Sequence, residues 1–331
     1  MCRFFVLAAA CAFKLTPVLG QNQGIANDYP GDKNIASDPR VLFVEDFEAP
    51  TMDTLTQRWE SVRESGLGFS ERVPPESSGS RSLSMTQLGG TNHSPSLYRR
   101  LGEGHDRVHA RFYVWFDPDC WPVHHFGTTL GGHNPAVPWP AVKAGMRQPL
   151  DKTFWVGVEP FGRKWTWDYY TYWGEMRGSP PAGKTWGNSF IHNPELTVDR
   201  GQWICLELMV QMNDPENRDG QLALWIDGEP VSHLREGSPK GRWTYDKFLP
   251  GRGGEGIRWD DDTGAPVRFP VAEGGEPFEG FRWRSTEALN INYLWLYLYI
   301  TTAPKGHESV VLMDDVVVAT EYIGPLAKTT P

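Results

Sequence analysis

The strongest constraint in this sequence is a strict alternation of side chains from Gln202 to Met212. Gln202, Ile204, Leu206, Leu208, Val210 and Met212 fall on one side, and Trp203, Cys205, Glu207, Met209 and Gln211 on the other. A period of two is that of an extended strand, and bulk on both faces predicts a strand covered on both. Asn213–Gly220, rich in Asn, Asp, Pro and Gly, supplies a turn. Gln221–Asp227 returns with Leu222, Leu224 and Ile226 inward, and Asp227-Gly228 marks the next turn. Arg200–Glu229 thus reads as a long hairpin, which needs a second sheet to pack on.

The rest of the chain supplies one. Val41–Glu48, a strand through Met85, Phe154–Phe161, Trp165–Gly174, Asn290–Thr301 and Glu308–Thr320 all read as strands. Val108–Phe116 alternates most cleanly. Its core face is Val108, Ala110, Phe112, Val114 and Phe116, and its other face is His109, Arg111, Tyr113 and Trp115. Cationic side chains between aromatics suit the lining of a carbohydrate groove, and equally a half-exposed strand. On Trp165–Gly174, Thr166, Asp168, Tyr170 and Tyr172 share one face. No helix-period segment of useful length and no internal repeat is present. The prediction is an all-β, antiparallel two-sheet sandwich in one domain, residues 41–322. Within it, Pro230–Gly280 reads as a long Gly- and Pro-rich loop insertion. His124–Asn134 reads as a Gly-rich loop beside a site, without the ligand spacing of a metal centre.

Residues 1–20 read as a secretory signal, with an apolar run Phe4–Phe13 too short to span a bilayer; a lipoprotein signal with Cys11 lipidated is the alternative. Residues 21–40 are expected as a flexible leader and 323–331 as a tail. Without the signal, 30 basic residues face 41 acidic ones, which disfavours nucleic acid and anionic membranes. No later segment is a membrane-span candidate, so a soluble, secreted monomer is expected. A polyanionic substrate would need a local basic patch working against this field. Aromatic residues make up 13% of the chain, with 15 Trp, more than a core needs, and this hints at exposed aromatic platforms. Asn92-His93-Ser94 is a glycosylation sequon if the host is eukaryotic. Cys120 and Cys205 remain after signal removal, either paired or as two separate buried thiols.

The hairpin Arg200–Glu229, the RFYVWFDPD around Phe112 and the closing VVLMDDVVVAT resemble the jelly-roll polysaccharide lyases. The likeness is to alginate lyases of polysaccharide lyase family 14 and to glucuronan lyases, and as an order of segments it spans roughly Val41 to Thr320. The resemblance implies a concanavalin A-like jelly roll whose concave sheet holds the sugar chain. It implies that Tyr170-Thr171-Tyr172 matches the family's Tyr-x-Tyr acid/base strand. It places His125, in HFGTTLGG, where the family has Lys, and Trp173 where a His commonly follows the tyrosines.

The activity implied is β-elimination on a uronate-containing polysaccharide. The C5 proton is weakly acidic until the neighbouring carboxylate is neutralised, so cations or donors must stabilise the enolate. A tyrosine beside those cations would have a depressed pKa and could take and return a proton. Tyr170, Tyr172, His125 and Arg111 are the candidates for catalysis. His109, Tyr113, Trp115, Trp173, Glu159 and Glu207 are the candidates for the groove, with Glu207 also readable as a paired structural acid. Two other readings stay open: a non-catalytic glycan-binding module, and a glycoside hydrolase with Glu159, Asp168 and Glu207 meeting across strands. No cofactor is expected for catalysis. Glu45, Asp46 and Asp315, gathered where first and last strands adjoin, could hold a structural Ca²⁺, or could be solvated or Arg-paired. Asp260-Asp261-Asp262-Thr263-Gly264 is a fragment of a calcium loop.

Overall fold

The alternating runs form strands where the period of two predicts them. The structure is a computed structural model that describes residues 24–91, 93–139, 142–180, 183–251, 256–259, 266–269 and 275–328. The signal-like residues 1–20, Asn92 of the sequon and 260–264 lie outside the described residues. In chain order the strands begin β1 Val41–Glu45, β2 Ser61–Arg63, β3 Leu67–Ser70, β4 Ser82–Leu88, β5 Ser96–His105 and β6 Arg107–Phe116. Next come β7 His125–His133, β8 Thr153–Phe161, β9 Thr166–Tyr172, β10 Trp203–Gln211, β11 Gln221–Ile226 and β12 Glu229–Leu234. The last are β13 Lys240–Thr244, β14 Lys247–Pro250, β15 Gly256–Trp259, β16 Pro266–Phe269, β17 Glu276–Pro277, β18 Ile291–Tyr299 and β19 Glu308–Ala319.

Two antiparallel sheets form the sandwich. Sheet A has the order β12-β11-β10-β6-β19-β4-β3, with β1 also paired to β19, and sheet B has the order β2-β5-β18-β7-β8-β9. The predicted hairpin is β10–β11, in register from Leu206 opposite Ile226 to Gln211 opposite Gln221. Ile204, Leu206, Leu208 and Val210 join Phe112, Val114 and Phe116 of β6 and meet Phe126, Val156, Leu294 and Leu296 of sheet B in one core. Rings cross between the sheets, Phe116 to Phe126 at 5.0 Å. Full burial of each such side chain contributes about 1.5–3 kcal/mol.

Sheet A is covered on its outer face too, by the two chain ends. The expected flexible leader is instead packed. Ile25–Asp28, Pro30–Asp32 and Ile35–Ser37 are short 3₁₀ turns, and Ile25, Ala26 and Ile35 are buried with Val317, Ala319 and Ile323. The expected tail is packed beside it: the amides of Ile25, Ala26 and Gly31 donate to the carbonyls of Tyr322, Ile323 and Ala327. Its polar composition and lack of strand period made the leader look flexible, yet both stretches close backbone hydrogen bonds over a hydrophobic face.

The insertion 230–280 is not one long loop. Glu229–Leu234 extends sheet A as β12, β14-β13-β17 form a small sheet and β15–β16 a hairpin. These strands are two to six residues long, too short to show alternation in sequence. Cys120 and Cys205 are separate, buried thiols. Burial pushes each thiol up to about 12. Denatured, unreduced protein lacking residues 1–20 is therefore expected to show two titratable thiols and the native form neither; two oxidised cysteines would contradict this arrangement.

Candidate functional site

Along sheet B, the alternation that sends Phe126, Val156, Val158, Trp167 and Tyr169 inward sends another set of side chains to the open face. There the ladder sets Trp155 opposite Tyr172, Gly157 opposite Tyr170 and Glu159 opposite Asp168. On the other side His125 is opposite Tyr299 and Gly127 opposite Tyr297. Most of the stretch 124–134, expected as a loop, is strand β7, His125–His133, and its glycines have a packing reason. A Cβ on Gly131 would lie 2.3 Å from Tyr293 Oη, and one on Gly132 2.1 Å from the Asn290 carbonyl oxygen. Aromatic rings cross the strand at positions that only glycine leaves open.

A cleft of about 690 Å³ lies over β7, β8 and β9. Its floor is His125, Trp155, Glu159, Tyr170 and Tyr172. Tyr170 Oη and Tyr172 Oη are 3.2 Å apart. The His125 ring lies 4.7 Å from that of Tyr170, and its Nδ1 is 3.3 Å from both Glu159 oxygens. Glu159 Oε2 also accepts the Phe126 amide. Gly187 rests on Tyr170 so closely that a Cβ there would sit 2.3 Å from the ring.

The tyrosine electrostatics run opposite to the depressed pKa that sequence reasoning asked for. Burial raises the Tyr170 phenol, with Tyr172 and Glu159 adding to it. Burial raises Tyr172 as well, while a hydrogen bond from Tyr170 acts the other way. Glu159 is raised by burial and pulled back by His125 and the Phe126 amide. Both phenols are therefore held protonated.

Arg111, expected to clamp a carboxylate here, lies on the other sheet. It is fully buried on the outer face of β6, paired with Asp32 and with its guanidinium over the Tyr113 ring. His109 and Glu207 lie on that same covered face. His109 Nδ1 and Glu207 Oε1 are 2.8 Å apart, and Glu207 accepts the amides of Ile323 and Gly324. Tyr113 accepts the Leu326 amide, and Trp115 lies under the Arg72 guanidinium. Arg111, Tyr113 and the His109–Glu207 pair thus fasten the chain ends rather than line a groove, and Trp115 is buried beneath Arg72. Trp173 is buried against Phe281 and Trp283 and donates to Asn188, so it too is core.

Asp168 does meet Glu159 across β8–β9, but it is occupied. Oδ1 accepts the amides of Tyr169, Phe190 and Ile191, and Oδ2 accepts that of His192. Two of the acids expected to hold Ca²⁺ are likewise engaged, while Asp315 Oδ2 is buried without a hydrogen-bond partner. Glu45 accepts from the Phe47 amide and the Trp59 indole and pairs with Arg58, and Asp46 accepts the Glu48 amide. Asp315 is buried at a bulge of β19 where the partner changes from β4 to β1. Among the described residues, no three His, Cys, Asp or Glu side chains gather closely enough to hold a metal ion.

The walls bring residues that the sequence reading missed: Val142 and Ala144, then Ser179, Pro180, Trp186 and Gly187, then Asp246 and Lys247. Asp246 Oδ2 accepts from Ser179 Oγ at 2.6 Å, and Ser189 pairs with Lys247. Lys143, Arg147 and Lys184 are exposed on the same wall segments, which a Gly145–Thr185 bridge joins. The one available signal was Trp186 two residues after Lys184, whose ammonium lies 5.9 Å from the ring centre.

No protein-family model matches the sequence, and no curated protein does. Among solved structures, the family-14 alginate lyase of Aplysia kurodai superposes with a TM-score of 0.53 at 12% identity, over 85% of this chain and 99% of that one. The alginate lyase vAL-1 from Chlorella virus gives 0.52 at 12%, over 85% and 100%. The alginate lyase Aly36B gives 0.52 at 11%, over 87% and 99%, and a variant of it has been solved with an alginate tetrasaccharide. These likenesses show a shared jelly-roll fold.

Proposed function

We propose that the chain is a secreted polysaccharide lyase that cleaves a uronate-containing polymer by β-elimination in the cleft on sheet B. The observation that carries this is the contact of the Tyr170 and Tyr172 hydroxyls on the cleft floor beside the His125–Glu159 pair. Burial keeps the phenols protonated, which suits a proton donor rather than a base. With Nδ1 turned to Glu159, His125 has Nε2 left for substrate. His125 then removes the C5 proton, the C4–C5 double bond forms as the C4–O bond breaks, and Tyr172 protonates the leaving oxygen. Tyr170 orients Tyr172. Lys247 is the one Lys or Arg among the described residues bordering the cleft, and it meets the uronate carboxylate. Lys143, Arg147 and Lys184 form the local basic patch that a polyanion needs on a chain of net charge −9. The known lyases of the same fold that act on alginate add support, as does the signal-like run Phe4–Phe13 for export.

A hydrolase reading is weaker because Asp168, the only other carboxylate facing Glu159 across the ladder, accepts four backbone amides. The test is a panel of uronate polysaccharides followed by the ultraviolet absorbance of the unsaturated uronate end. New reducing ends without that absorbance would establish hydrolysis, and retention on a polysaccharide gel with neither signal would establish binding alone.

A further inference from the structure

We infer that the cleft is a dead end that accepts the end of a polysaccharide chain, so that cleavage is exolytic. This inference rests on the lyase reading above. An open concave sheet lets a polymer cross all its strands. Here the half of the face built by β5 and β18 is closed. Trp139 packs edge-on against Trp295 at 4.9 Å and against Tyr98 at 5.5 Å, and Tyr98 Oη donates to the Val137 carbonyl. Beneath it Tyr98, Tyr293 and Tyr297 are 1%, 1% and 4% exposed, and none of them borders the cleft. Sugar-stacking area is filled by the protein's own tryptophan.

The plug is tied down on the side of Asn134. The Asn134 amide donates to Lys152 and its side chain to Asp151, while Arg63 lies over the outer side of the Trp139 ring. Farther on, the buried Gln148 side chain donates to the carbonyls of Lys143 and Met146 and accepts the Lys143 amide. The opposite wall is fixed as well: Asn188 and Thr171 exchange both backbone hydrogen bonds, and Ser189 donates to Asp246. A chain crossing the strands therefore meets a wall on each side.

What remains is a path along the strands, from Phe161 and the exposed His124 at the mouth to Trp155 and Tyr172 at the inner end. Six residues of strand separate Trp155 from Phe161, about 20 Å. Tyr172, 2% exposed, lies at the inner end, where the Gly145–Thr185 bridge joins the two wall segments, leaving space for only a short piece of chain beyond the bond it serves.

The experiment follows a cleaved polymer by unsaturated-uronate absorbance, viscosity and product size together. The expected result is small products of one or two sizes from the first minutes, while viscosity persists. A ladder of long intermediates with early collapse of viscosity overturns the inference and leaves the lyase reading standing. Trp139→Ala, outside the catalytic set, should shift products towards longer fragments; unchanged small products from a folded variant also overturn the inference. Independently, Tyr172→Phe protein is titrated with uronate oligosaccharides of rising length. One protein bound per chain whatever its length supports chain-end capture, and several per long chain overturn it. Absence of both cleavage and binding removes the lyase reading and this inference with it.

Discussion

Tyr172→Phe is expected to lower turnover of a uronate polymer by about 10²–10⁴-fold while the fold survives. The ring stays in place against Trp155, with centroids 5.4 Å apart, and only the hydroxyl at 3.2 Å from Tyr170 is lost. Substrate affinity should change little, because stacking and the wall cations remain. Tyr170→Phe should cost less on its own, and the double variant should fall short of the product of the two effects, as expected for groups acting as a unit. Since burial raises the Tyr172 phenol, its donor form persists to alkaline pH, and any activity loss from its ionisation should lie above the usual tyrosine range of about 10. Steady-state kinetics with circular dichroism on each variant decide the matter. Near-full activity in both single variants would eliminate tyrosine chemistry and leave His125, Glu159, Asp246 and Lys247 as ionisable groups of the cleft.

Asp168→Ala is expected to destabilise the protein by about 3–5 kcal/mol, the scale for removing a buried charged partner. The four amides it receives come from its own strand and from residues 190–192, so its loss unfastens the segment leading from Gly187. Gly187 presses on Tyr170, which gives the substitution a secondary effect on activity through position. The denaturant midpoint reads the main effect. A variant of unchanged stability but no activity would make Asp168 a reacting group and restore the hydrolase alternative.

The sandwich was legible because burial imposes the period of two, and β6, β10 and β18 carry it almost without interruption. What periodicity cannot say is which face is the open one. The His109, Arg111, Tyr113 and Trp115 face of β6 has a groove-like composition, yet it lies under the chain ends, and nothing local to β6 encodes the arrival of residues 24–38 and 321–327. Tyr170 and Tyr172 were identified by the motif they form on one strand face. Lys247 and Asp246 were not, because they reach the cleft through a pairing of Ser189 with Lys247, 58 positions apart in a stretch without strand rhythm. Glu159 was named but its partner was not: the pairing with His125 follows from β7 and β8 lying side by side, a matter of sheet order rather than of local pattern.

The position of β19 bears on how such a chain is made. It lies in the interior of sheet A, between β6 and β4, and also carries β1. During synthesis, β6 and β4 are exposed long before residues 308–319 exist, each with an open edge of unpaired amides and carbonyls. Local hairpins such as β10–β11 can form early, but sheet A closes only after residues 308–319 have emerged. Formation of this fold is therefore governed by contacts distant in sequence, and its incomplete intermediates present sticky edges to one another. Yield in a heterologous host should then depend on the time spent waiting for β19, making slow, cool expression or a holding chaperone more effective than any change in the cleft.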